Sequence, residues 1–252
     1  MRCLCTAPLL ALLALAAAGC GDDGGAGDRP LTVAAAASLA DAFEAYGDAL
    51  PGEQRFSFAG SDELAAQIRQ GAAPDVYAAA NTAYPEALAA ERLVERPVAF
   101  ARNELVVAVP TGSAIESVED LAAPGLDLVV GADGVPVGDY AREVLARLPH
   151  AQREAILANV RSQEPDVKGI VGKVAQGAAD AGFVYASDVA AAPGDLVAVS
   201  LPARLRPDVA YGIAVVEGAA DAEAARAFVD GLLGGAGRRA LEQAGFLPPP
   251  GG

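Results

Sequence analysis

Two serines stand where a strand-like run gives way to a helical pattern. Ser38 follows the apolar run LTVAAAA (31–37) and precedes LADAFEAYGDAL (39–50), while Ser61 follows RFSFAG (55–60) and precedes ELAAQIRQ (63–70). Each is thereby expected at a helix N-cap, where a hydroxyl and the free amides of the next turn are available. Gly60 is expected to let the backbone turn tightly before Ser61. One such serine alone is ordinary capping, worth about 1 kcal/mol. Two of them on adjacent parallel strands aim two positive helix ends into one region, which is an arrangement suited to an anion.

The second half of the chain offers further donors. VPVGDY (135–140) sets Pro136 and Gly138 just before a helix, which suits a loop presenting backbone amides, although proline in a first turn is also common for structural reasons. In EPDVKGIV (164–171), Pro165 and Asp166 open a helix and leave the amides of Val167 and Lys168 among the unpaired donors. GFVYASD (182–188) ends a strand with Tyr185, whose hydroxyl either reaches a cleft or belongs to packing. Asp62, Asp139 and Asp166 lie beside these donors. They are read as first-turn residues whose carboxylates stay in solvent and favour the helix dipole.

No catalytic residue is expected. A serine nucleophile needs a base, and the sole histidine, His150, follows Leu148-Pro149 at an apparent helix end. With one histidine, and one cysteine left after processing, thiolate or imidazole metal sites are not expected either, and no cofactor is implied. An iron site would need convergent tyrosines or carboxylates; of the six tyrosines, Tyr140 and Tyr185 sit in cleft-facing motifs, with Tyr77 near a strand end.

These groups must be positioned by short strands alternating with helices. Strand patterns are read at 31–37, 55–60, 74–80, 104–110, 126–133, 181–187 and 209–216. Helices are read at 39–50, at 63–70 ending on Gly71, at 140–148, 167–176, 220–234 and 236–245. Alternation of this kind implies βαβ units and a largely parallel sheet. The simplest architecture is two α/β lobes, with the chain crossing near Ala101 and returning near Pro207.

Residues 1–19 carry one charge, Arg2, then an apolar run and Ala17-Ala18-Gly19 before Cys20, which reads as a signal peptide. The pattern resembles a bacterial lipobox, with Ala17 where leucine is more usual, so Cys20 is expected to be lipidated and to anchor the chain to a membrane. Residues 20–30, rich in Gly and Asp, read as a flexible tether. The formal net charge is −15, and losing the leader makes it one unit more negative. That balance disfavours nucleic acid, which needs basic patches. An anion site on such a protein must be local and built from oriented dipoles.

Taken in order, AAASL (35–39), FAGSDELAAQIRQGAAPDVYAAA (58–80), RNELVVAVP (102–110), VPVGDYA (135–141), DVKGIV (166–171) and DAGFVYASD (180–188) resemble the bacterial periplasmic molybdate-binding proteins. The likeness runs from about Leu31 to Pro248. It implies an α/β, type II periplasmic-binding-protein fold: two α/β lobes, residues 31–101 plus 208–252 and residues 102–207, around a ligand cleft with a two-segment hinge. It also implies an exported, monomeric protein that captures molybdate or tungstate and hands it to the permease of an ABC-type importer. Carried over residue by residue, the ligand contacts would be Ser38, Ser61, the amides of Val137 and Val167, and the Tyr185 hydroxyl. Val137 departs from the family's frequent alanine, which bears on pocket size more than on hydrogen bonding. Sulfate or ferric-ion receptors of the same architecture, and a surface lipoprotein with no small-molecule site, are the alternatives. Every implied contact is a donor, so a fully deprotonated dianion fits, whereas phosphate brings a proton that needs an acceptor.

Overall fold

A computed structural model describes residues 29–249; the leader, Cys20 and most of the tether lie outside the described residues. Two five-stranded sheets organise the rest. The first takes its strands from both ends of the chain: β1 (Leu31–Ala36), β2 (Gln54–Ala59), β3 (Val76–Ala79), β4 (Val98–Asn103) and β10 (Val209–Val215). The second is built from the middle: β5 (Leu105–Pro110), β6 (Leu128–Gly131), β7 (Val160–Glu164), β8 (Ala181–Tyr185) and β9 (Leu196–Ser200). Helices α1 (Ala40–Gly47), α2 (Ser61–Arg69), α3 (Ala83–Ala90), α8 (Ala222–Leu233) and α9 (Gly235–Gln243) accompany the first sheet. The second has α4 (Pro136–Ala146), α5 (His150–Ala158), α6 (Val167–Ala175) and α7 (Ala186–Ala190).

The two sheets share one plan. Strand order is β2-β1-β3-β10-β4 in the first and β7-β6-β8-β5-β9 in the second. In each, the first three strands run parallel and the fourth is antiparallel to both its neighbours. The sheets are therefore mixed rather than largely parallel. The antiparallel strands β10 and β5 are the ones entered directly from the other lobe, so no crossover helix turns the chain before they pair. The chain leaves the first sheet after Asn103, enters the second at Leu105, and returns between Leu205 and Val209.

Burial explains why these segments are strands. β3 and β8 are buried along their whole length, as expected of central strands covered on both faces. By contrast, β2 and β7 alternate between half-buried and exposed along most of their length, as edge strands do. That polar alternation is why β7, VRSQE, does not stand out as an apolar run. In the first lobe Phe43, Phe100 and Phe228 are almost fully buried, with Phe43 edge-on to Phe228 at 5.6 Å and tilted against Phe100 at 6.0 Å. Each such ring removed from water is worth about 1.5–3 kcal/mol, and together they fix α1 and α8 on the same sheet.

Candidate functional site

The loops that leave the parallel strands of both sheets meet at one place. After β1 the chain makes a single 3-10 turn, Ala37–Leu39, before α1 begins, and Ser38 lies inside that turn. Ser61 is the first residue of α2, with Gly60 as N-cap. Neither serine makes a side-chain capping bond, which corrects the expectation that both act as N-caps. Each strand ends a residue earlier than its apolar run suggests, so the serine falls inside the helical turn and its hydroxyl points away from its own helix. The Ser38 hydroxyl meets the Tyr211 hydroxyl at 3.0 Å, and the Ser61 Oγ accepts the Ala80 N–H at 3.0 Å.

From the second lobe come two helix starts. Val137 is the second residue of α4, behind Pro136, and Val167 is the first residue of α6. First-turn amides have no partner within their helix. Among the described residues, neither of these two amides donates to any group outside it. Tyr185 ends β8, and its hydroxyl is buried without a hydrogen-bond partner. Burial pushes the Tyr185 phenol well above its ordinary value, so it remains a protonated donor.

Ser38, Ser61, Val137, Val167 and Tyr185 all line one cavity, and none is more than 6% exposed. The space open to the centre of a water molecule there is about 20 Å³, so adding the roughly 1.4 Å radius of water gives a hole about 3 Å in radius. That is room for one small polyatomic ion. No lysine or arginine is among the lining residues. Positive potential comes from hydroxyl and amide dipoles at helix starts.

The three aspartates behave differently from one another. Asp139 is exposed and paired with Arg142 at 2.8 Å. Asp166 lines the cavity, yet it is the N-cap of α6 and one of its oxygens accepts the Gly169 N–H at 3.0 Å. Asp62 departs from the solvated reading, for its Oδ1 is buried and unpartnered. Gly60 needs no unusual turn, since its φ is −59°; a Cβ there would lie 2.5 Å from the Pro165 carbonyl oxygen. Glycine at position 60 thus lets the second lobe come close. Tyr140 is not among the cavity-lining residues, and Tyr77 donates to the Ser61 carbonyl at 2.6 Å from within the core.

Across the cleft the lobes touch directly. The Tyr84 hydroxyl of α3 donates to the Gly134 carbonyl at 2.6 Å. Lys168 of α6 reaches Asp41 of α1 at 3.0 Å and stands 3.9 Å from the buried Asp188. These bridging residues, and Tyr211 behind Ser38, escaped the sequence reading. A tyrosine in the strand-like VAYGIAVV signals packing, and a partner 173 positions away leaves no local trace.

The family described as bacterial extracellular solute-binding protein matches residues 31–247. The molybdate-binding protein ModA of Mycobacterium tuberculosis is 38% identical over 231 residues, covering 88% of this chain and 86% of that protein. The chain belongs to this ModA-like family of solute-binding proteins.

The periplasmic molybdate-binding protein of Azotobacter vinelandii superposes with a TM-score of 0.77 at 22% identity, over 87% of this chain and 99% of that one. The sulfate-binding protein SubI of Mycobacterium tuberculosis superposes nearly as well, at 0.76 with 17% identity over 87% and 86%. Both likenesses are of fold. Here the cavity between the lobes is small and lined by the hydroxyls and amides named above together with the Asp166 carboxylate.

Proposed function

We propose that the protein captures molybdate in the cleft between its lobes and presents it to the permease of an ABC-type importer. The observation that carries this reading is the convergence of hydroxyl and amide donors from both lobes on a hole sized for one ion. Ser38 and Ser61 belong to one lobe, Val137, Val167 and Tyr185 to the other, so each lobe holds part of the site. A dianion bridging them favours closure, because only the closed form offers it the full set of donors. The ModA relatives support molybdate over sulfate, while fold alone does not separate the two. Tungstate, a tetrahedral dianion like molybdate, is proposed as a second ligand of the same site.

Residues 1–19 are proposed to direct export, and Cys20 to carry a lipid that holds the monomeric protein at the membrane. Labelling cells with a fatty-acid analogue tests this: the intact protein takes up label and Cys20→Ser does not. Calorimetric titration of the chain from Leu31 with molybdate, tungstate, sulfate and phosphate tests the ligand. One-to-one binding of the two metal oxyanions with weak sulfate binding is the expected result. Sulfate or phosphate heat with none from molybdate would sink the assignment and leave the fold standing.

A further inference from the structure

Behind Ser38 stands a residue the proposed binding reaction has not used. Tyr211 is fully buried, and its ring packs edge-on against Tyr185 at 5.7 Å, Phe246 at 5.3 Å and Phe100 at 6.2 Å. The pairing of β10 with β4 changes register between Tyr211 and Gly212. Irregularities of this type bend a strand and re-aim a side chain. The re-aimed side chain places its hydroxyl 3.0 Å from Ser38 Oγ.

We infer that Tyr211 is a specificity-determining positioning residue: its phenol donates to Ser38 Oγ, fixing Ser38 as a donor, so that the cleft rejects oxyanions that carry a proton. The inference rests on the oxyanion-binding reading of the cleft.

The direction of this bond follows from counting partners. A buried phenol proton left unpaired costs about 1–3 kcal/mol, so it must find an acceptor. Two other polar side chains act on the phenol, Asn103 and Tyr185. The Asn103 carbonyl oxygen accepts the Glu104 N–H at 2.9 Å, and the Tyr185 hydroxyl makes no hydrogen bond among the described residues. Ser38 Oγ, at 3.0 Å, is the one hydrogen-bond partner of the phenol among the described residues. With Tyr211 donating, the Ser38 proton finds no acceptor in the phenol behind it and is directed into the cavity. Burial holds the Tyr211 phenol protonated, well above its ordinary value, so it stays a donor throughout the accessible pH range.

Ser61 is treated the same way by a different means. Its Oγ already accepts the Ala80 N–H, which leaves its proton for the cavity. Both hydroxyls, ambivalent in principle, are thus turned into donors by groups behind them. Against these two hydroxyls hydrogen phosphate meets donors only, and the carboxylate that lines the cavity, Asp166, has one oxygen committed to the Gly169 N–H; a fully deprotonated dianion needs no acceptor at all.

The test is the Tyr211→Phe variant, which keeps the ring and its packing, read as the ratio of molybdate to phosphate affinity by competition titration. Freed from Tyr211, Ser38 can accept the phosphate proton, so the ratio is expected to fall about tenfold, mostly through a gain in phosphate binding. An unchanged ratio in a folded variant overturns the inference. Ser38→Ala supplies a second arm that does not depend on Tyr211→Phe folding. If Ser38 is only a donor, its loss weakens both anions alike; if it accepts from ligand, phosphate is lost preferentially and the inference fails. Tyr211→Phe in the Ser38→Ala background should then leave the ratio unmoved. Should the unmodified protein prefer sulfate, the same ratios are read with sulfate, so a wrong dianion and a wrong role for Tyr211 give different results. If it binds none of these anions, both readings fall together.

Discussion

The two lobes share a sheet plan and solve the same chemical problem with different atoms. Ser38 follows β1 and Val137 follows β6, the middle strands of the two parallel trios, while Ser61 follows β2 and Val167 follows β7, the outer ones. At matching junctions the first lobe presents hydroxyls and the second presents main-chain amides. A helix fixes an amide donor without help, because its direction is the helix axis. A serine hydroxyl rotates, and it becomes a defined donor when the group behind it donates to its oxygen and offers its proton no acceptor. That is why the first lobe needs Tyr211 and the Ala80 N–H behind its serines and the second lobe needs nothing comparable behind its valines. Side-chain identity should therefore matter for affinity in the first lobe and hardly at all at positions 137 and 167.

The largest effect that would break this comparison is expected from Ser38→Ala combined with Ser61→Ala. Each deletion removes a hydrogen bond to a charged group, on the order of 10- to 100-fold in affinity, so titration of the double variant should show binding reduced beyond the range of either single change. Position 167 separates atom from side chain. Val167→Ala should leave affinity within about threefold while costing about 2 kcal/mol of stability for the emptied core volume. Val167→Pro keeps a buried aliphatic residue and deletes the N–H. Proline suits a first helical position, and the preceding Asp166 is extended at φ −155° and ψ 172°, as a pre-proline residue prefers. A loss of roughly tenfold or more from Val167→Pro, against little from Val167→Ala, would establish the amide as the binding group. Equal effects would refute the distinction between the lobes.

How much of this could be read from the chain follows from range. The strands along 31–36, 105–110 and 181–185 and the helix start after 166 carry local signals, apolar runs and turn residues, and the structure has them there. By contrast, α4 begins at Pro136, four residues before the pattern at 140–148, because proline suits a first helical position. The polar edge strand β7 and the five-residue helix α7 lack such signals, and the apolar runs VAF in β4 and LVAV in β9 are too short to separate strand from helix without their tertiary pairing. Likewise, the residues lining the cavity sit at junctions visible in sequence. The groups that orient them do not, since Tyr211 acts over 173 positions and Ala80 over 19.

Beneath the second lobe's share of the cleft, Asp188 sharpens the contrast through pH. Its carboxyl is buried, with Oδ2 accepting the Tyr185 N–H at 3.1 Å and Oδ1 unpartnered. Desolvation raises its pKa to about 7, against the lowering effects of Lys168 and the Tyr185 amide and with the repulsion of Asp41 and Asp166. A carboxyl with its folded pKa above its unfolded value of 3.8 binds the extra proton only in the native state. Its stabilising contribution is full below that unfolded value and is lost as pH rises through about 7. Thermal melts should show stability falling across this window, and Asp188→Asn should flatten the slope by an amount on the order of a few kcal/mol. A slope that survives the substitution would place the titrating group elsewhere.

The smallest effect concerns how the lobes are held together once their different donors have met. Tyr84 and Gly134 join α3 to the loop before α4 by a single bond between neutral groups, half-exposed and worth about 1 kcal/mol. Because this bond exists only where the lobes touch, Tyr84→Phe subtracts from closure and from neither lobe's own donors. Affinity should fall about fivefold for every oxyanion alike, leaving the ratio between anions untouched, and the loss should appear in the dissociation rate by stopped-flow displacement. A change in the ratio would mean that the bridge shapes the cavity itself. Selectivity would then depend on lobe spacing as well as on which way the Ser38 and Ser61 hydroxyls are turned.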